Sequence, residues 1–159
     1  MRNISEHISY KEATRSTTAL RLGIDNTPDE YQLQNMELLA EKVFEPLRKA
    51  AGGPIKINSF MRVEKLNQAI GGSSRSQHCQ GRAIDLDDTY GYMTNAEMYN
   101  YIKNNLSFDQ LIWEFGTDPE SGPDANPDWV HVSYVDGDSN RKRCLQAYKS
   151  EGKTAYKVI

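Results

Sequence analysis

The sequence predicts an α+β fold in which helices pack on one small, mostly antiparallel β-sheet. Two kinds of pattern support this prediction. Some segments combine a helix-capping signal with apolar residues at three- and four-residue steps, and several short segments alternate between apolar and polar residues, as strands do. A chain of 159 residues without internal repeats favours a single domain over residues 1–159, with residues 1–26 as an N-terminal arm packed on it.

The longest predicted helix lies between residues 27 and 53. Thr27 can cap its N-terminus, and Glu30 completes a capping box. Apolar residues then recur at helical spacing, which predicts an amphipathic helix. These residues are Leu33, Met36, Ala40, Val43 and Leu47. Pro46 should kink the last turn, and the glycine pair at 52–53 should end it.

Three shorter helices are predicted elsewhere. One lies in the arm, around Tyr10–Thr14, and a second covers Val63–Ile70 and ends at another glycine pair. A capping box of Thr94 and Glu97 opens a third helix, which runs to about Lys103.

Four short segments are predicted as strands because they are rich in β-forming residues, which alternate with polar ones in the first of them. These segments are Ile55–Ser59, Arg82–Asp87, Gln110–Phe115 and Trp129–Val135. The tail holds one or two more strands, around Cys144–Tyr148 and Ala155–Val158. Residues 116–127 are rich in Gly, Pro and Asp, which predicts an exposed loop.

The composition argues against several classes of protein. A net charge of −3 without a basic patch does not favour binding to nucleic acid or to an anionic membrane. No segment approaches the roughly 20 apolar residues of a membrane span, and the N-terminus lacks the apolar core of a signal peptide. We therefore expect a protein that is made in the cytoplasm and binds neither nucleic acid nor membrane. We also expect it to be a monomer.

Two cysteines, Cys79 and Cys144, are too few for a disulfide framework. The sequence leaves open whether they pair with each other. Cys79 follows His78, but adjacent residues in an extended chain point apart, so these two side chains are poorly placed to share one metal.

The candidate chemistry concentrates in two segments, residues 76–85 and 129–134. His78 lies in a serine-rich loop, and Asp85 lies in a strand between apolar neighbours that alternation directs to the other face. His131 lies on a second strand, whereas the remaining histidine, His7, lies in the arm and is expected on the surface. Two imidazoles and one carboxylate can form a three-ligand zinc site with an open position. By themselves these residues fit a core histidine with an unrelated ion pair equally well.

The motif around these residues resembles a known family. Residues 76–85 read Ser-x-His-x-x-Gly-x-Ala-x-Asp, and residues 129–131 read Trp-x-His. This pattern resembles the M15-type zinc peptidases, which include D-alanyl-D-alanine carboxypeptidases and phage L-alanyl-D-glutamate endopeptidases and share their fold with the Hedgehog signalling domain. Residues 58–62 resemble the family's Ser-Gly-Tyr-Arg segment. Residues 23–28, 71–73 and 109–115 look like those of a small branch rich in phage and prophage proteins.

The resemblance covers residues 5 to about 135 and implies roles for five residues. His78, Asp85 and His131 would bind Zn²⁺. Ser76 would orient the substrate, and Arg62 would hold a substrate carboxylate or the developing oxyanion, for which its planar donor fork is suited. The implied partner is a peptidoglycan peptide, cleaved at a D-alanine or at an L-alanyl–D-glutamate type of bond. The protein would then act at the cell wall after release, or as part of a phage particle.

Two acids are candidates for the general base. Several family members carry a glutamate three residues before the second histidine, where this chain has Asp128, whose side chain is one methylene shorter. Glu114 lies in an otherwise apolar strand, and members of the similar branch also carry it. If the strand of Glu114 pairs with the strand of His131, the two side chains lie close together. We favour Glu114 and retain Asp128 as the alternative.

Two other functions stay open from the sequence. A zinc-containing module without catalytic activity would bind the cell wall or build a virion, and it would have neither acid near the metal. A serine hydrolase built from Ser76, His78 and Asp85 is disfavoured, because the chain has no Gly-x-Ser-x-Gly nucleophile elbow.

Overall fold

A six-stranded mixed β-sheet forms the centre of the structure, a computed structural model that describes residues 2–159. Its strands are β1 (Lys56–Ser59), β2 (Ala83–Asp87), β3 (Gln110–Glu114), β4 (Trp129–Ser133), β5 (Arg143–Ser150) and β6 (Lys153–Val158). They lie in the order β1-β2-β4-β3-β5-β6. The predicted α+β class is confirmed, and the strands lie within two residues of the predicted ends.

One pairing makes the sheet mixed, rather than mostly antiparallel as the sequence predicted. β3 and β5 run parallel, whereas the other neighbouring strands pair antiparallel. The cause is the connection after β4. β4 ends beside the start of β3, and residues 134–142 cross that end of the sheet, so β5 begins where β3 begins and runs in the same direction.

The helices are α1 (Tyr10–Thr14), α2 (Thr17–Leu22), α3 (Glu30–Leu39), α4 (Glu45–Ala51), α5 (Glu64–Ala69) and α6 (Asn95–Asn105). Apolar residues of α3, α4 and α6 form the main core with one face of the sheet. That face contributes, among others, the fully buried residues Ile84, Leu86, Val130 and Val132. A smaller apolar cluster of Ile112, Leu145 and Ala147 lies on the opposite face. No helix in residues 2–159 is both long enough and apolar enough to cross a bilayer.

The long helical segment starts and bends differently from the prediction. The cap is Asp29, not Thr27, and its capping-box partner is Gln32 instead of Glu30. Thr27 instead donates its hydroxyl to Asp25. The expected distortion at Pro46 lies upstream, in a π-helical turn over Ala40–Phe44 that joins α3 to α4. Proline has no N–H to donate to the carbonyl four residues earlier, and the wider turn accommodates this loss.

β3 ends one residue before the predicted end. Phe115 and Gly116 both adopt left-handed backbone conformations, with φ of 56° and 68°. This conformation turns the chain out of the sheet and makes Glu114 the last residue of the strand.

The N-terminal arm is tied to the body by apolar contacts and by one amide. Ile4, Ile8 and Ala13 are buried in the main core. The Asn26 side chain donates to the carbonyls of Thr14 and Met61, at 2.9 Å each.

Asn26 also accepts from the backbone N–H of Val63 at 2.9 Å. It therefore joins the arm to the segment that follows β1. The arm helix α1 was predicted, whereas α2 was not.

We expect Asn26→Ala to lower the free energy of unfolding by about 3 kcal/mol, because it leaves two backbone carbonyls and one N–H without partners. Urea unfolding followed by circular dichroism measures this change. Asn104→Ala is the matched control, since Asn104 is exposed and makes no side-chain hydrogen bond within residues 2–159. Equal stability of the two variants would contradict the role assigned to Asn26.

Candidate metal centre and catalytic cleft

Two of the predicted ligands are brought together by strand pairing. Asp85 on β2 and His131 on β4 are direct partners in the antiparallel register. Both side chains point to the face opposite the main core, because Ile84, Leu86 and Val130 occupy the core face. His131 Nδ1 lies 2.9 Å from Asp85 Oδ1.

His78 reaches the same point from a single 3₁₀ turn, Gln77–Gln80, in the segment that the sequence predicted as a loop. Ser76 caps this turn, and its hydroxyl accepts from the His78 N–H at 3.3 Å. Gly81 ends the turn with φ of 72°, and a Cβ there would lie 2.6 Å from the Gln32 carbonyl oxygen. Only glycine allows the turn to lie this close to α3.

The ring of His78 is held in one tautomer. Its Nδ1 lies 2.8 Å from the Phe60 carbonyl oxygen, which can only accept, so Nδ1 carries the proton. The Nε2 atom therefore presents a lone pair, and it lies 3.2 Å from Asp85 Oδ2. This nitrogen is buried and has no hydrogen-bond partner among the described residues. The Nε2 lone pair and the carboxylate oxygen are both electron-pair donors, and at this distance both can bind one cation placed between them.

The electrostatics of the three side chains fit such a cation. Burial lowers the pKa of His78, and the Asp85 charge only partly opposes this effect, so the imidazole is neutral. Burial opposes ionisation of Asp85, but the hydrogen bond to His131 Nδ1 helps to hold the pKa of Asp85 well below its usual range.

One ligand atom from each residue can be chosen so that all three lie within 4.8 Å of one another. Tetrahedral zinc, with bonds of about 2.0–2.1 Å, spaces its ligand atoms by about 3.3 Å. The donor set and its spacing therefore fit a divalent metal such as zinc.

A cleft of about 850 Å³ opens over these three residues. Arg62 and Ser76 line it together with the metal-binding candidates. Burial lowers the pKa of Arg62, whereas the Asp85 charge raises it. The Arg62 Nε atom is buried without a hydrogen-bond partner among the described residues, and the backbone N–H of Arg62 donates to the His78 carbonyl at 3.3 Å.

Glu114 also lines the cleft. β3 pairs with β4, and the register places Ile112 opposite His131 and Glu114 opposite Trp129. Glu114 is therefore diagonal to His131 on the same face of the sheet. Glu114 is only 7% exposed. Burial and the Asp85 charge raise the pKa of Glu114 to about 7, although His131 opposes the rise.

The structure places Asp128 elsewhere. Its side chain is exposed and does not line the cleft. Asp128 precedes Trp129, so alternation turns its side chain away from the face of Trp129 and His131. Its backbone N–H instead donates to the Glu114 carbonyl at 2.8 Å. Of the two candidate bases, only Glu114 is brought to the candidate metal centre.

The remaining polar candidates lie apart from the ligand set. Ser76 contacts the backbone of His78, whereas the His78 ring nitrogens face Phe60 and Asp85, so a Ser-His-Asp triad is not formed. His7 lies on the arm, with Nδ1 2.6 Å from Glu45 Oε1.

Both cysteines are free thiols. Within residues 2–159 two groups of side chains could hold a metal, His78 with Asp85 and His131, and Glu6 with His7 and Glu45, and the half-buried Cys79 belongs to neither. The possible disulfide between Cys79 and Cys144 is therefore absent.

Two parts of the cleft wall were not predicted. The Arg141 side chain makes two hydrogen bonds to Asp109, from Nε to Oδ1 at 3.0 Å and from an Nη atom to Oδ2 at 2.8 Å. Gln77 donates to the same carboxylate at 2.9 Å. Tyr156 reaches the cleft from β6, where it is the register partner of Ala147, itself paired with Glu114. Neither residue stands in a motif, and only the order of the strands brings them to the site.

The comparisons with known proteins agree with this geometry. A protein-family model described as peptidase M15 matches residues 6–118. The matched segment contains Arg62, His78, Asp85 and Glu114, whereas His131 lies beyond it. No curated protein matches the chain.

The raised pKa of Glu114 predicts a pH-dependent stability of the metal-free protein. Its folded-state value of about 7 exceeds the ordinary 4.5, so the folded protein holds a proton that the unfolded chain releases. Relative to Glu114→Gln, the free energy of unfolding of the unsubstituted protein should fall as pH rises from 4.5 to about 7, by up to roughly 3 kcal/mol.

Urea unfolding of chelator-treated protein at several pH values measures this difference. Glu120→Gln, which removes a carboxylate at an exposed position outside the cleft, is the control. A difference between Glu114→Gln and the unsubstituted protein that stays constant across this range would contradict the prediction.

Proposed function

Since the chain belongs to the peptidase M15 family, we propose that it is a zinc-dependent peptidase that cleaves peptidoglycan stem peptides with a metal-activated water. One observation carries the proposal: the His78 lone pair, Asp85 and His131 converge in a cleft that also contains a buried acid, Glu114. Residues 1–159 would form one peptidase domain with the fold shared by these peptidases and the Hedgehog signalling domain.

The metal would be held by His78 through Nε2, by Asp85 and by His131, which leaves a position for water. Bound zinc lowers the pKa of its water and polarises the carbonyl of the scissile bond. The Phe60 carbonyl keeps the His78 ring oriented, as partners of metal-bound histidines commonly do.

Glu114 would serve as general base and then as general acid. A base works best when its pKa lies near the working pH, and burial brings Glu114 to about 7. The carboxylate would take the proton from the attacking water and deliver it to the leaving amine. The low exposure of Glu114 limits competition from bulk water.

Arg62 would bind a substrate carboxylate or the oxyanion that develops at the scissile carbonyl. Its partly buried guanidinium lines the cleft and makes no side-chain hydrogen bond or ion pair within residues 2–159, so its charge is not already taken by a protein carboxylate. Ser76 would support the site through the backbone of His78 and through contact with substrate at the cleft wall. The substrate would be a short peptide, which the volume of the cleft can hold.

The cellular setting follows from the substrate. A monomer with this activity would act at the cell wall, after release from the cell that makes it or as a component of a phage particle. A zinc module without catalysis would need no buried acid at the metal, and the place of Glu114 in the cleft favours the enzyme over that alternative.

We expect purified protein to release amino groups from cell walls and from synthetic stem peptides, and a chelator to abolish this release because the water loses its activating metal. Restoring Zn²⁺ should restore activity. A serine-directed reagent should have no effect. Zinc-loaded protein that releases no amino groups from any of these substrates would contradict the proposed activity.

Glu114→Gln should lower kcat by about 10²- to 10⁴-fold, because it removes the proton acceptor while keeping the shape of the side chain. Zinc content, measured by elemental analysis, should stay unchanged. Asp128→Asn is the matched control and should keep nearly full activity, since Asp128 does not line the cleft. The opposite order of the two variants would assign the base to Asp128.

A further inference from the structure

A second groove, of about 470 Å³, runs along the outer edge of β1. Its floor is the strand itself, Lys56–Ser59, and its walls come from residues 15–18, from Leu66 of α5 and from Ile70, which follows α5. Arg62 lines both this groove and the catalytic cleft. The two depressions therefore meet at that side chain.

The floor of the groove is an open sheet edge. β1 is the terminal strand and pairs only with β2. Within residues 2–159, no hydrogen bond joins the backbone of Lys56–Ser59 to the arm that faces it. An edge strand of this kind offers N–H and C=O groups to an added strand, which is one of the ways in which proteins bind extended peptides.

The charge of the groove selects the kind of peptide. Its charged lining residues are Arg15, Lys56 and Arg62, and no aspartate or glutamate lines it. None of these three cations forms an ion pair with a described residue. The protein as a whole carries a net charge of −3, so the groove is locally opposite in sign. Cations in a groove attract carboxylates and orient them.

We propose that this groove binds an extended, carboxylate-bearing segment of the substrate as an added strand on β1. The inference rests on the proposed function only in taking that peptide to be the substrate.

The distance to the metal site fits this arrangement. A strand added on β1 lies two strand spacings, about 10 Å, from β2 and Asp85. About three residues of extended peptide cover that distance. The groove thus recognises a carboxylate a few residues from the scissile bond, and the peptide passes Arg62 to reach the metal.

The test measures binding, independently of turnover. The probe is a fluorescently labelled peptide, L-Ala-γ-D-Glu-L-Lys-D-Ala-D-Ala, compared with the same peptide in which the free α-carboxylate of D-Glu is amidated. Fluorescence anisotropy gives the Kd of each for zinc-loaded Glu114→Gln protein. Adding Arg15→Gln and Lys56→Gln should raise the Kd of the acidic peptide by about fivefold at low salt. The amidated peptide should be little affected, and high salt should remove the difference.

Arg21→Gln with Lys65→Gln is the matched control, since both side chains are exposed and lie outside the groove. Hydrogen exchange provides a second measurement: backbone amides within Lys56–Ser59 should exchange more slowly when the acidic peptide is bound. The proposal would be overturned if the Kd rose equally for both peptides or rose as much in the control variant. Unchanged hydrogen exchange at β1 would overturn it as well.

The outcomes separate this proposal from the proposed function. If the acidic peptide binds in a charge-dependent way but the zinc-loaded unsubstituted protein does not cleave it, the peptidase activity is refuted and the binding groove is supported. If the peptide is cleaved and neither its cleavage nor its binding changes on substitution of Arg15 and Lys56, the peptidase activity is supported and the binding groove is refuted.

Discussion

The candidate site depends on one hydrogen bond, from His78 Nδ1 to the carbonyl of Phe60. This bond places the proton on Nδ1 and leaves a buried lone pair on Nε2, 3.2 Å from a carboxylate oxygen of Asp85. Two acceptors at that distance repel each other unless a cation lies between them. The accepting carbonyl belongs to Phe60, in the segment that follows β1, so the edge strand and the 3₁₀ turn must both be in place before the ring is oriented.

Strand alternation arranges the remaining chemistry. The face of β2 and β4 that points to the core is wholly apolar, and the other face carries Asp85 and His131 in register. β3 extends this second face and adds Glu114, whose burial raises its pKa toward neutrality. Asp128 is nearer to His131 in sequence than Glu114 is, yet it falls on the wrong side of the strand. Proximity in sequence is therefore a poor guide to the acid that faces a metal.

The parts of the chain outside the recognisable motif shape what the site can accept. The β5–β6 hairpin lies beyond the residues matched by the family model and contributes Tyr156 to the cleft wall. The arm contributes Arg15 to the groove beside β1, and Asn26 ties that arm to the segment leading to Arg62. These elements add to the candidate site surfaces that lie outside the recognisable motif.

The sequence alone determined the α+β class, most helix and strand positions and the candidate ligand set, because these follow from short-range periodicity, capping and a compact motif. It did not determine the direction of β5, the π-helical turn before Pro46 or the cap at Asp29, because these depend on packing and on competition between neighbouring groups. The choice between Glu114 and Asp128 also needed the tertiary structure, since strand order and register decide which side chains share a face. Tyr156 and the cationic groove likewise join residues far apart in the chain, and only the folded arrangement places them next to the site.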